Sequence, residues 1–290
     1  MWTVPRPEMR ENQTVLPADG HVHSEWSWDA VAGSMERTCA RAVEIGLPSI
    51  AFTEHADFTP WTLLGVLPPG VRADVTPDGV LVPPVFDAEG YLACLQRCRD
   101  RFPELRIRSG VELSEPHWHA RRAAQLLDLG AFDRVLGSVH CLRMSDGRFL
   151  ETADAYRELA AADVVRRYLA EATNMIKTSD AFAVLAHIDY PVRDWPADAG
   201  PYDPTAFEED YREVLAALAG TARALEINTT ISPSPQIVRW WHEAGGEAIT
   251  FGSDAHDPTA LARDFIAAGA MVEAHGFRAA RSPHDMWGRS

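Results

Sequence analysis

The segment DGHVHSEWSWDA, residues 19–30, follows a short apolar run and carries two histidines separated by one residue. Side chains two positions apart on an extended chain point to the same side, so His21 and His23 can converge on one ion. Neutral imidazole is a common ligand of zinc, iron and related metals. A polar loop with two histidines that bind nothing explains this motif about equally well, so other ligands in the chain must decide between the two.

Outside this segment, the chain predicts strands and helices in alternation. Short apolar or β-branched runs, most of them followed by helical spacing of apolar residues, occur seven times. The predicted helices include a long one from about Asp154 to Ser179 and a last one over residues 258–276. The predicted strands lie near residues 15–22, 48–53, 106–112, 133–139, 182–187, 223–228 and 248–253. This alternation predicts a parallel sheet, and a length of 290 residues favours closure into a (β/α)7 barrel over an open doubly wound sheet. The predicted fold class is therefore α/β, with residues 1–290 in one domain.

Two long segments fit neither period and are predicted to be loops. Residues 67–85, LPPGVRADVTPDGVLVPPV, are rich in proline and glycine, and residues 191–204 read PVRDWPADAGPYDP. We expect the first to cover one mouth of the barrel and the second to flank the same opening.

Composition excludes several classes of partner. A formal net charge of -15 without any run of lysine or arginine argues against nucleic-acid binding, which needs basic stripes. No stretch approaches the roughly 20 apolar residues of a membrane span, and no basic segment followed by an apolar one begins the chain. The four cysteines, which show no paired framework, are predicted to be free thiols in a cytoplasmic protein. A phosphate ester remains possible as substrate, because bound metals can dominate the local field.

Every predicted strand ends in side chains of the kinds that bind metals. Because the carboxyl ends of barrel strands share one face, residues distant in sequence should line a single bowl there. The sixth strand ends with Glu226 and Asn228. The other strand ends provide nine candidate metal ligands: His21, His23, Asp29, His55, Glu112, His140, His187, Asp254 and His256.

Nine candidates are too many for one metal, because zinc usually takes about four ligands. They suffice for three ions if one carboxylate bridges, and Glu112 is the predicted bridge. The five remaining histidines are predicted to lie near the surface, on helices, helix starts or the tail, although His117 and His119 could reach the rim: His117, His119, His242, His275 and His284.

The motifs DGHVH, FTEH, GVE, SVH, AHID and SDAH, taken in this order, closely resemble the polymerase and histidinol phosphatase (PHP) family of metal-dependent phosphoesterases. The resemblance extends from about Asp19 to Gly276 and implies a distorted seven-stranded β/α barrel with two or three metals. It implies a first metal bound by His21, His23, Glu112 and Asp254, a second bound by Glu112, His140 and His187, and a third bound by Asp29, His55 and His256.

One ligand departs from the pattern of the family. Many relatives with three metals have a histidine where this chain has Asp29. The harder oxygen ligand favours manganese or iron over zinc at the third position.

Within the family, the segments LEIN, SDAHDPTALARDF and HGF are most similar to stand-alone histidinol-phosphate phosphatases of histidine biosynthesis. This implies a phosphomonoesterase that uses two to three divalent metals (zinc, manganese or iron) to supply hydroxide from bound water for attack on L-histidinol phosphate. The catalytic role falls to Glu112, Asp254 and His256. Two arginines that follow strands four and five, Arg143 and Arg193, are candidate phosphate ligands, because guanidinium matches phosphate oxygens.

Two other functions stay open. The same metals could serve a nucleotide phosphatase, a phosphodiesterase or an amide hydrolase, whereas a non-catalytic metal-binding protein is disfavoured by the intact ligand set. The exonuclease branch of the family is disfavoured because the chain has no polymerase module and no basic groove. Discrimination for histidinol phosphate would come from acids and aromatics expected at the rim of the bowl: Glu54, Asp57, Trp61, Glu115, Trp118, Asp189 and Trp195.

Overall fold

A closed barrel of seven parallel strands forms the centre of the computed structural model, which describes residues 16–130, 132–282, 284 and 286–290. The first strand pairs with the second through Asp19 and Ile50 and with the seventh through Asp19 and Phe251, which closes the barrel. The predicted fold class is confirmed. The barrel strands are Asp19–Val22, Ser49–Ala56, Arg106–Ser114, Arg134–Ser138, Val184–Leu185, Ala224–Asn228 and Ala248–Gly252.

Strand lengths differ from the sequence-based expectation at several ends. The second and third strands extend beyond the predicted ends because they pair continuously from Ser49 and Arg106 to Ala56 and Leu113. The fifth strand is shorter than predicted, at Val184–Leu185. Val15, the first residue of the first predicted strand, lies outside the described residues.

Eight α-helices occur in the described part of the chain. The first begins after Ser34, whose side chain accepts a hydrogen bond from the backbone N–H of Arg37, and ends at Gly46, where φ is 72°. The helices are Met35–Ile45, Ala88–Arg101, Ala120–Leu127, Thr152–Ala155, Ala161–Thr178, Glu208–Ala219, Pro235–Glu243 and Phe265–Ala274.

Two helical predictions need correction. The helix expected from about residue 154 to residue 179 is divided into two by residues 156–160. The last helix begins later than its sequence pattern indicates. Ala262 and Asp264 adopt left-handed backbone conformations, with φ of 52° and 56°, and this interrupts a right-handed helix before Phe265.

The segments outside the barrel form short antiparallel pairs. Strands Trp61–Thr62, Asp74–Val75 and Val80–Val82 make a three-stranded sheet that includes part of the proline-rich segment 67–85. This segment is tied to the loop after the first barrel strand, since the backbone N–H of Arg72 donates to the carbonyl of Trp28 at 2.9 Å. The remaining short strands are Cys141–Arg143 paired with Phe149–Glu151, and Phe277–Arg278 paired with Trp287–Arg289.

The main apolar core includes side chains from both the barrel strands and the helices. Phe52 and Phe251 from the strands and Trp240 and Tyr168 from helices belong to one buried cluster. All four cysteines are buried and free, as predicted. None of the helices in the described residues combines the length and the apolarity that crossing a membrane requires.

Asp19 stabilises the closure of the barrel through its side chain. Its carboxylate, 1% exposed, accepts hydrogen bonds from the backbone N–H groups of Ser253 (3.0 Å), Ala262 (3.1 Å) and His21 (3.4 Å). The first strand is thereby joined to the segment that follows the seventh.

Removing this carboxylate should destabilise the barrel. Asp19→Ala leaves buried N–H donors without an acceptor, so we expect the free energy of unfolding to fall by about 2–4 kcal/mol. Urea denaturation of the purified variant measures this loss. Asp198→Ala, at an exposed site, is the control and should stay within about 0.5 kcal/mol of wild type; an equally stable Asp19→Ala chain would contradict the role of the carboxylate.

Candidate metal centre

The four residues of the first implied ligand set lie close enough to share one ion. Nε2 of His21 and Nε2 of His23 are 3.0 Å apart, and they lie 3.2 Å and 3.4 Å from Oε2 of Glu112. Oδ1 of Asp254 is 3.1 Å from His23 and 3.6 Å from His21. Ligands of a tetrahedral zinc ion are about 3.3 Å apart, so the spacing of this set matches such a site.

The second and third sets also converge. The other oxygen of Glu112, Oε1, lies 2.8 Å from Nε2 of His187 and 3.3 Å from Nε2 of His140. Glu112 therefore presents one oxygen to each of two ligand sets, as a bridging carboxylate would.

The third set contains the aspartate that departs from the family pattern. Oδ2 of Asp29 lies 3.3 Å from Nε2 of His55 and 3.2 Å from Nε2 of His256, and the two imidazole nitrogens are 3.4 Å apart. The shorter aspartate side chain thus still reaches the two histidines.

Buried atoms without partners support the same interpretation. Oε2 of Glu112 and Oδ1 of Asp29 are buried and have no hydrogen-bond partner among the described residues. Buried acceptors are rarely left unpaired, and two imidazole nitrogens that face each other need a cation or a proton between them. The donor set of imidazoles and carboxylates fits divalent transition metals.

The charges of the site compensate one another. Burial alone would raise the pKa of Glu112, but the charges of His21, His140 and His55 outweigh burial and hold that pKa well below its usual range. Burial opposes the charge of His140, yet Glu112 and Asp57 raise its pKa to about 10. Carboxylates at this depth stay ionised only because cationic groups surround them.

Not every histidine carries charge. Burial, together with the charges of His55 and His256, lowers the pKa of His23 to about 3. A neutral imidazole between charged ones is already in the form that binds a metal.

Several residues orient the ligands from outside the site. Nδ1 of His21 lies 2.8 Å from Oε1 of Glu226, and Nδ1 of His23 lies 2.9 Å from Oγ of Ser27. Ser114 Oγ lies 2.8 Å from Nδ1 of His140. Such contacts fix the tautomer and the rotation of each imidazole. The sequence indicated Glu226 by its place at a strand end, whereas nothing in the local sequence marked the two serines.

The backbone at the end of the seventh strand lies very close to the ligand side chains. A Cβ atom at Gly252 would overlap the carboxylate of Glu226 and lie 2.6 Å from Cβ of His21. Asp254 adopts φ of 52°, a left-handed conformation that is uncommon for residues other than glycine. Close approach and local strain thus accompany the placement of Asp254 beside His21 and His23.

Seven of the nine candidate ligands, all except His21 and His23, line a cavity of about 160 Å³ that Arg193 also lines. Nη2 of Arg193 donates to Oδ2 of Asp254 at 2.6 Å and to Oδ1 of Asn228 at 3.1 Å. The second predicted arginine, Arg143, is exposed and is not among the described residues that line this cavity. Of the two candidate phosphate ligands, Arg193 therefore lies in the cavity wall, whereas Arg143 lies outside the described lining.

The predicted rim is only partly correct. Asp57 and Trp61 line the cavity. Glu54 and Glu115 are fully buried instead, where Glu54 accepts hydrogen bonds from Ser24 and Ser27 and Glu115 accepts them from the backbone of residues 140 and 141. The other three, Trp118, Asp189 and Trp195, are not among the described residues of the lining.

Three lining residues were not predicted from the sequence. Trp28 lies in the loop after the first barrel strand, Glu151 ends a short strand outside the barrel, and Tyr190 begins a short 3-10 helix, so the period of the barrel does not mark them.

The five histidines assigned to other roles belong to none of the candidate ligand groups found among the described residues. His117 was predicted at the surface, but its side chain is only 2% exposed and its Nε2 lies 2.6 Å from Oε1 of Glu171. The surface prediction is wrong there because Glu171, far away in sequence, provides a buried partner. The other four are half-buried: His119, His242, His275 and His284.

Known proteins with similar sequences are histidinol phosphatases. The chain is 26% identical over 251 residues to the histidinol-phosphatase of Lactococcus lactis subsp. lactis (strain IL1403), which covers 82% of this chain and 83% of that protein. It is 25% identical over 252 residues to a protein of Thermotoga maritima named probable histidinol-phosphatase, covering 84% and 86% of the two chains.

A solved structure and a family model agree with the described geometry. The crystal structure of histidinol phosphate phosphatase from Lactococcus lactis, in complex with zinc, L-histidinol and phosphate, has a TM-score of 0.77 and 23% identity, covering 93% of this chain and 98% of that chain. This similarity shows a shared fold. The model of the PHP domain matches residues 19–230, which is most of the chain, and the protein therefore belongs to the PHP domain family.

Proposed function

We propose that this protein is a metal-dependent phosphomonoesterase that hydrolyses L-histidinol phosphate to L-histidinol and phosphate, with residues 1–290 as one catalytic domain. The observation that carries the proposal is the presence of a guanidinium, Arg193, in the same cavity as three sets of carboxylate and imidazole ligands. The relatives named as histidinol-phosphatases support this choice of substrate.

The proposed metal ligands are those of the three sets, with Glu112 between the first and the second. When bound, adjacent divalent metals activate water and neutralise charge on phosphate oxygens. Zinc, manganese and iron are all compatible with the donors, and the oxygen of Asp29 favours manganese or iron in the third set.

The other residues of the site bind and orient the substrate. Asp254 and Asn228 hold Arg193 in place, and its remaining N–H groups can donate to a phosphate oxygen. Indole side chains from Trp28 and Trp61 line the same cavity and reduce its access to water. A narrow cavity in an acidic protein favours a small phosphate ester over a polynucleotide. The four free thiols are compatible with the reducing conditions of the cytoplasm.

Metal content tests the ligand sets. Protein purified without chelator should contain about two to three transition-metal ions per chain. Glu112→Gln should contain at least one ion fewer and lose at least about 100-fold in kcat, because an amide cannot replace a bridging carboxylate. Elemental analysis and phosphate release measure the two effects. Glu243→Gln, at an exposed salt bridge, is the matched control, and wild-type metal content in Glu112→Gln would refute the bridge.

Arg193 and Arg143 provide a matched pair for phosphate binding. Arg193→Gln should lower kcat/KM by about 10- to 100-fold, because a charged hydrogen bond to phosphate is lost. Arg143→Gln removes the same charge from an exposed position outside the described cavity lining and should change kcat/KM less than about threefold. Steady-state phosphate release at constant metal loading measures kcat/KM for both variants. Equal losses in the two variants would contradict the assignment of the phosphate contact to Arg193.

Substrate preference tests the activity itself. L-histidinol phosphate should have a higher kcat/KM than p-nitrophenyl phosphate or nucleoside monophosphates, because all three share the phosphoryl group and only the cavity wall can discriminate. The three substrates are compared with the same metals bound. An equal or better nucleotide substrate would instead support a nucleotide phosphatase.

A further inference from the structure

Six residues line the cavity without belonging to the three ligand sets, and most of them are already engaged. Asp57 accepts a hydrogen bond from Nε1 of Trp28 at 2.6 Å through one oxygen and from Ser114 through the other. Arg193 is held by Asp254 and Asn228. The six residues are Trp28, Asp57, Trp61, Glu151, Tyr190 and Arg193.

Glu151 differs from Asp57 because two of its hydrogen bonds come from the segment that follows it and another comes from the hydroxyl of Tyr190, a second residue of the cavity wall. It ends the strand Phe149–Glu151, and its two oxygens accept from Oγ1 of Thr152 at 2.8 Å and from the backbone N–H of Ala153 at 2.7 Å. A carboxylate can accept about four hydrogen bonds. These contacts therefore fix the orientation of the carboxyl group and leave acceptor capacity for a ligand in the cavity.

Arg193, a basic residue of the same cavity wall, is paired with Asp254 rather than with Glu151. No arginine, lysine or histidine within the described ranges forms an ion pair with Glu151 or with the neighbouring Asp194. Burial raises the pKa of Glu151, and the charge of Asp194 raises it further, while the hydroxyl of Tyr190 beside it acts in the opposite direction. A cationic ligand group beside Glu151 would oppose these effects and favour the charged carboxylate.

Tyr190 connects Glu151 with the candidate metal ligands. The ring centroid of Tyr190 lies 4.8 Å from that of His187 and 5.0 Å from that of His140, and its hydroxyl lies beside Glu151. A substrate whose phosphate lies at these histidines would thus have Glu151 within reach of its other end, because only the side chain of Tyr190 lies between them. The strand Trp61–Thr62 packs against Phe149–Glu151, so an indole adjoins the same region.

We propose that Glu151 binds the ammonium group of the substrate and selects phosphate esters that carry a primary amine near the ester oxygen. L-histidinol phosphate has its amine on the second carbon from that oxygen, which suits the spacing set by Tyr190. The indoles of Trp28 and Trp61, which line the same cavity, can contact the imidazole. This inference rests on the proposed function, since it concerns the same substrate and the same cavity.

A pair of substrates isolates the contact with the amine. Glu151→Gln should lower kcat/KM for L-histidinol phosphate by about 10- to 100-fold, mainly through KM, because a charged hydrogen bond is lost. The loss should be less than about threefold for the analogue with hydrogen in place of the amine. Glu158→Gln, a few residues later and exposed, is the matched control. Glu151→Asp retains the charge and should give a smaller loss, again only for the amine.

Binding of the product supplies a measurement without turnover. Calorimetry with zinc-loaded protein should show tighter binding of L-histidinol than of its analogue without the amine, and Glu151→Gln should abolish the difference. Equal losses on both substrates would overturn the proposal and indicate instead that Glu151 donates a proton to the leaving group or supports the site. The proposal would also be overturned if wild-type protein bound and hydrolysed the compounds with and without the amine equally well.

The two proposals can fail separately. If wild type is inactive on L-histidinol phosphate but prefers phosphoethanolamine to ethyl phosphate, and Glu151→Gln removes that preference, the assigned substrate is wrong and the role of Glu151 stands. If L-histidinol phosphate is the best substrate and Glu151→Gln affects both members of the pair equally, the activity stands and the role of Glu151 is wrong.

Discussion

The carboxylate of Glu112 is fully buried inside the barrel, and the surrounding strands are arranged around its charge. A carboxylate without water around it needs cationic partners, and five histidines lie within 3.4 Å of its oxygens: His21, His23, His55, His140 and His187. Among them, His23 has its pKa lowered while that of His21 is raised, so the imidazoles already divide between charged and neutral forms. Cations shared between strands therefore join elements that are distant in sequence.

Much of this arrangement follows from the sequence because the barrel converts strand order into position. Once seven strands are recognised, each residue directly after a strand must lie on one face, and His55, His140 and His187 needed no further information. Glu151 and Tyr190 could not be found in this way. Glu151 ends the hairpin of residues 141–151 and Tyr190 begins the short helix of residues 190–194, and the place of both elements depends on packing outside the barrel.

Burial depth was also hidden from the sequence. Glu54 directly precedes the candidate ligand His55, and from the sequence both were expected to face the cavity. Alternation along the strand sends the two side chains to different environments, so Glu54 supports the loop that carries Ser24 and Ser27. Glu115 is similar, since its left-handed backbone, with φ of 43°, turns its carboxylate toward the backbone N–H groups of residues 140 and 141. Acids near a strand end thus divide into those that bind ligands and those that hold loops.

The charge of the chain has two consequences at this site. A net charge of -15 repels a phosphate at long range, so attraction must arise within the cavity, where Arg193 and the cations of the ligand sets are close and poorly screened. Acids that are not neutralised there, with Glu151 nearest, oppose a second anionic group on the same substrate. An ester with one phosphate and one amine gains the attraction for phosphate and avoids the repulsion of a second anion. A diphosphate gains the attraction but meets the repulsion. Under the proposed function, the distribution of charge over the cavity wall, rather than the metal ligands, would separate one phosphate ester from another.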